Sequence, residues 1–167
     1  VLLLCLLTNY LQEQGIRSPG PYLLIWIVGF SAWAAIFWWL RHRGGPVTFV
    51  ERQIAHVWGA SMVGCCLLFV IEILLGLPVL YLSPVLAVLG GMVFLIKAGI
   101  LSGIFYIPAA AMFLTSALMA IWPRFAVTMF GVASGAGFFV PGLMYHFRRA
   151  RSGRTIQLPK RNSAEVG

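Results

Sequence analysis

Runs of apolar residues long enough to cross a lipid bilayer fill most of this chain. A helix rises about 1.5 Å per residue and a hydrocarbon core is about 30 Å thick, so about twenty apolar residues make one crossing. Lipid supplies no hydrogen bonds. A spanning segment must therefore satisfy its own backbone, as a helix does. Only 10% of the 167 residues are charged, and the mean hydropathy is +0.92. Soluble domains carry about 25% charged residues. Such a chain cannot cover a water-facing surface, so lipid is expected to be its main solvent.

The runs predict an all-α, polytopic integral membrane helix bundle of five full spans plus a truncated first one. Residues 1–11 form that first piece, about 16 Å as a helix and roughly half a bilayer. The chain opens on Val1-Leu2-Leu3-Leu4 with neither the basic stretch nor the small-residue cleavage site of a signal peptide. Residues 12–21 (QEQGIRSPGP) read as an extracytoplasmic loop, and residues 22–40 as a span of about 28 Å. Trp26, Trp38 and Trp39 lie towards its ends, where interfacial aromatics belong.

Residues 41–58 read as a cytoplasmic loop. Within it Thr48 and Glu51 spell a capping box. Val50, Ile54, Val57 and Trp58 then share one helical face, with Glu51, Arg52 and His56 opposite. This pattern fits an interfacial amphipathic helix over 48–58, or the polar start of the next span. Residues 59–145 form a four-span bundle, with breaks expected at Gly76-Leu77-Pro78, Lys97-Ala98-Gly99 and Pro123-Arg124. Residues 146–167 are basic and read as a disordered cytoplasmic tail.

The net charge is +8, from twelve basic and four acidic residues. Ten of the basic residues fall on the side of the 41–58 loop: Arg41, Arg43, Arg52, Lys97, Arg148, Arg149, Arg151, Arg154, Lys160 and Arg161. Arg17 and Arg124 fall on the other. This asymmetry predicts both ends of the chain in the cytoplasm and a multi-pass protein of the cell inner membrane. The basic face should meet anionic headgroups. The tail has no interleaved aromatics for stacking bases, so nucleic acid is not an expected partner.

Glu72 is the only carboxylate inside an apolar run. It reads as an interfacial group near the outer end of its helix, able to reach headgroups or water, or else as a ligand or ion contact. Lys97 belongs near the inner surface, a membrane away, and is expected to snorkel to headgroups. Gly131 and Gly135 form one GxxxG and Gly99 and Gly103 another. Small residues at that spacing favour close helix packing in the bundle and, secondarily, a homodimer. Pro84, Pro108 and Pro141 interrupt the predicted spans.

Cys5, Cys65 and Cys66 have no metal-ligand spacing and read as small buried hydrophobes, with acylation of Cys65 or Cys66 the lesser reading. His42, His56 and His146 stand apart from other ligating residues. No metal site and no cofactor are expected. The chain contains no Asp, which rules out kinase catalytic motifs, and no P-loop, GxSxG or HExxH is present.

Three stretches carry a resemblance: residues 50–58 (VERQIAHVW), residues 74–86 (LLGLPVLYLSPVL) and residues 94–103 (FLIKAGILSG). Together they resemble the C-terminal membrane region of bacterial serine/threonine protein kinases of the eukaryotic-like type, over roughly residues 47–145. The resemblance rests on sequence texture, since no catalytic motif is shared. It implies a membrane anchor or sensor for a cytoplasmic kinase domain that precedes the spans. A small transporter or channel subunit is the competing reading, and it would need a polar cavity reaching Glu72.

Overall fold

The computed structural model describes residues 1–42 and 48–152, and among these it contains helices and no strand. The long helices are α1 (Leu2–Glu13), α2 (Pro19–His42), α3 (Phe49–Leu75), α4 (Ser83–Ile100), α5 (Tyr106–Ile121) and α6 (Ala126–Ser152). Single 3-10 turns, Gly103–Phe105 and Pro123–Phe125, lead into α5 and α6. Among the described residues, four segments are long and apolar enough to cross a membrane: Pro19–Arg41, Phe49–Leu75, Ser83–Ile100 and Gly103–Ile121.

The helix starts follow from local chemistry. The Thr48 hydroxyl accepts from the Glu51 N–H, and the Glu51 carboxylate accepts from the Thr48 N–H at 2.9 Å. This reciprocal cap satisfies two of the donors that every helix leaves unpaired, each such cap contributing about 1 kcal/mol. From there α3 runs unbroken for 27 residues, about 40 Å. A separate interfacial helix over 48–58 is therefore corrected: these residues are the first turns of α3. Gly59 does not interrupt it, because one helical Gly costs only about 1 kcal/mol against Ala.

The break expected at Lys97-Ala98-Gly99 falls later. Helix α4 continues through Gly99 to Ile100, and the chain turns at Leu101 and Ser102. Ser102 is extended (φ −169°, ψ 139°), and its hydroxyl accepts from the Ile104 N–H. The prolines also land differently. Pro84 lies at the start of α4, and Pro108 is the third residue of α5. A first-turn N–H has no helical acceptor, so its loss there costs nothing. Neither residue interrupts a span. Helix α6 passes through position 141 and includes residues 146–152, which are helical rather than part of a disordered tail. Residues 153–167 and 43–47 lie outside the described residues.

Consecutive helices pack in a closed circuit: α1 on α2, α2 on α3, and so on to α6, which returns to α1. Contact between α4 and α6 crosses the middle. Short connections make neighbours antiparallel. One end of the ring therefore carries the α2–α3 and α4–α5 connections and the C-terminal half of α6. The other carries the α1–α2, α3–α4 and α5–α6 connections.

Trp26 of α2 anchors the interior at 1% exposure. Its ring lies 5.3 Å from Phe30, 5.8 Å from Phe69 of α3 and 6.4 Å from Phe130 of α6. The Trp26 N–H donates to Thr8 Oγ1 at 3.1 Å, and that hydroxyl donates to the Leu4 carbonyl at 2.7 Å. Tyr22 donates to the Ile16 carbonyl at 2.8 Å and closes the α1–α2 corner. Helices gain little from leaving lipid for one another, so close packing and such hydrogen bonds hold them together.

At Gly131, α6 packs tightly against Cys5 and Leu2 of α1. A Cβ there would lie 2.9 Å from Cys5 Cβ, whereas one on Gly135 would meet nothing within 4 Å. Gly131→Ala should lower stability by about 1–3 kcal/mol through overpacking. Gly135→Ala should raise it by up to about 1 kcal/mol through helix propensity. Thermal unfolding in detergent, run on both variants, distinguishes the two.

Candidate functional site

Glu72 lies in the last turn of α3 and is only 2% exposed. Its Oε1 accepts from the Leu82 N–H at 2.7 Å and its Oε2 from the Leu80 N–H at 3.1 Å. The turn it holds is an unusual one. Gly76 ends α3 in the left-handed region (φ 63°), and the Leu77 N–H returns to the Glu72 carbonyl at 2.9 Å. Leu80 also has positive φ, at 64°, and is buried. For a residue with a Cβ that conformation costs about 1–2 kcal/mol. Two charge-assisted hydrogen bonds, worth about 1.5–3 kcal/mol each, offset it. The expectation that Glu72 reaches headgroups or water is thus corrected. Its carboxylate is a buried tie between α3 and the α3–α4 turn.

A second polar centre lies at the opposite end of the ring, around Lys97 in the last turn of α4. Its Nζ is 4.8 Å from the centroid of Phe105, 5.3 Å from Phe138, 5.6 Å from Phe94 and 5.7 Å from Trp58. Each ring is within the range of a cation–π attraction, worth about 0.5–2 kcal/mol depending on desolvation. The rings also touch one another. Phe138 is 5.2 Å from Trp58 and 5.1 Å from Phe94. Lys97 is half-buried, and among the described residues no carboxylate pairs with it. It does not simply snorkel to the surface. It clasps α3, α4, α6 and the 3-10 turn before α5 through their aromatic side chains.

Trp58, Phe94 and Phe138 also line a small interior cavity of about 40 Å³, with Ser61, Cys65 and Ser134 on its wall. That is room for a water or two, not for a small-molecule ligand, whose sites run to about 300–1,000 Å³. Ser134 donates to the Gly131 carbonyl at 3.1 Å, and Ser116 donates to the Pro84 carbonyl at 2.8 Å. The Ser116 hydroxyl joins α5 to α4, and that of Ser134 is satisfied within α6.

The remaining sequence candidates separate. Gly99 lies in the last turn of α4 while Gly103 opens a 3-10 turn, so they share no helical face. A Cβ on Gly99 would meet nothing, and one on Gly103 only Tyr106. Their assignment as a packing stripe is corrected; the intervening turn at Leu101 and Ser102 destroys the register. Glu51, besides capping α3, binds Arg41 at 2.7 Å and links α2 to α3. Cys5 and Cys65 are buried and Cys66 is half-buried. The side chains of His42 and His146 lie outside the described residues, and the His56 ring bonds the Arg52 carbonyl at 2.7 Å. The Lys97 clasp is not legible in the sequence, since its four rings come from segments spread over residues 58–138. No family model, curated protein or solved structure matches this chain.

Glu72→Gln keeps one acceptor oxygen and turns the other into a donor facing an N–H. Stability should fall by about 1–3 kcal/mol, with Glu72→Ala at least as damaging, read as a loss of thermal midpoint in detergent. Lys97→Met keeps most of the side-chain length and removes the charge. It should cost about 1–3 kcal/mol by the same assay, and Lys97→Arg should retain most of the wild-type value because guanidinium also stacks on aromatic rings.

Proposed function

We propose that this chain is a multi-span membrane region that anchors a cytoplasmic domain, and that the domain is a serine/threonine protein kinase. The observation that carries the anchoring reading is the engagement of Glu72. The one carboxylate in the apolar stretches is bound by the N–H groups of Leu80 and Leu82 and shapes a turn. An ion-coupling group must bind and release its ion or proton within each cycle. Glu72 is instead committed to the fold, which weighs against the transporter reading. The identity of the attached domain rests on the resemblance over residues 47–145.

The reading places Arg41, Arg52 and Lys97 in the cytoplasmic half and Arg17 and Arg124 outside, in accord with the positive-inside rule. A signal would act by shifting the packing of the ring, which biases whatever is joined to it. The Lys97 clasp, shared by three long helices, is the contact most exposed to such a shift. The homodimer and the inner membrane belong to the same proposal.

Topology is the direct check. A fluorescent protein fused after Arg161 should be bright, as it would be in the cytoplasm. Alkaline phosphatase inserted after Leu77 should be active outside. The reverse pattern overturns the proposed orientation. In liposomes Glu72→Gln should change no ion flux, and a flux that the substitution abolishes would return the chain to the transporters.

A further inference from the structure

A cleft of about 510 Å³ opens between the first turns of α3 and the end of α4. The α3 wall starts at Phe49, carries Arg52, Gln53 and His56, and passes to Val57 one turn in. The facing α4 wall is Ile96 and Ile100. One cleft thus offers a cation and an amide along one side and branched aliphatic chains along the other. It lies at the matching ends of two helices long enough to span a membrane, the depth at which headgroup gives way to acyl chain.

The charge at the cleft is positive and uncompensated. Arg52 is exposed and lies over the Phe49 ring at 5.7 Å, and among the described residues no carboxylate binds it. The neighbouring acid, Glu51, is already held by Arg41 and by the Thr48 N–H. His56 is fixed by its bond to the Arg52 carbonyl. Because a carbonyl can only accept, its Nδ1 carries the proton. The walls are held in place by the clasp. Trp58 follows Val57 and Lys97 follows Ile96, so the cation–π contact between them ties α3 to α4 immediately behind the cleft.

We propose that this cleft binds one anionic glycerophospholipid, with its phosphate on Arg52 and Gln53 and the upper part of an acyl chain against Val57, Ile96 and Ile100. A guanidinium presents parallel donors that match two phosphate oxygens. The cleft is open on its outer side, so a headgroup on Arg52 and Gln53 can continue into a chain lying along the aliphatic wall. The apolar wall has no use for free phosphate, which selects the lipid. The inference rests on the chain being a membrane protein and is independent of which face is cytoplasmic.

The full chain, purified and placed in phosphatidylcholine nanodiscs doped with phosphatidylglycerol, tests it by native mass spectrometry of the lipids retained on release. One phosphatidylglycerol should be retained in preference to phosphatidylcholine. Arg52→Gln should lower that retention at least about ten-fold, because it removes the charge and the paired guanidinium donors. Arg124→Gln, at the other end of the ring, should leave it unchanged. Ile96→Trp, which fills the cleft, should also lower it, and if that variant does not fold the two arginine variants still decide. Equal retention by wild type and Arg52→Gln, an equal loss in Arg124→Gln, no preference over phosphatidylcholine, or full displacement by millimolar inorganic phosphate would each overturn the proposal. A reversed reporter topology would defeat the proposed orientation and leave this site standing.

Discussion

Lipid offers a buried polar group nothing to bond with, and the interior of the ring is organised around that constraint. Thr8 relays the Trp26 N–H to a carbonyl, Ser116 and Ser134 cap carbonyls, and Glu72 takes two backbone N–H groups. The Thr8 and Ser134 hydroxyls bond carbonyls of their own helices, while the Trp26, Ser116 and Glu72 bonds fix where one helix or turn lies against another. Apolar side chains alone would not, because lipid tails solvate them as well as a neighbouring helix does.

The two charged centres use this constraint in different ways. At one end Glu72 is satisfied by backbone, and its two bonds hold Leu80 in a conformation that a Leu rarely adopts. At the other, Lys97 is satisfied by the faces of four aromatic rings. The first stiffens a turn between two helices. The second ties α3, α4 and α6 together immediately behind the cleft between α3 and α4. An anchor with a built-in lipid contact would sit at a defined depth and orientation, and a domain joined to it would inherit both.

Much of the fold is legible from residues alone. The apolar runs place the long helices, because period and length need no tertiary context. The Thr48 and Glu51 cap is legible because both partners lie within four residues. The corrections share one cause. Average behaviour makes Gly99 and Pro108 breakers, but position within a helix decides what they do. The turn falls at Leu101 and Ser102 because the Ser102 hydroxyl is available there to cap the 3-10 turn leading into α5. Distance from a helix end suggests a solvated Glu72, and nothing in the local sequence shows that the next turn folds back over it.

Composition and periodicity by themselves determined that this chain is helical and that its long apolar runs suit lipid. Those properties depend only on the solvent and on neighbours along the chain. Only the tertiary structure decided that Glu72 is a tie, that Lys97 is caged, and that Arg52, with no carboxylate on it among the described residues, stands beside an aliphatic wall. Each depends on groups brought together from separate helices, and in a medium where apolar contacts are nearly interchangeable, those few polar meetings choose the arrangement.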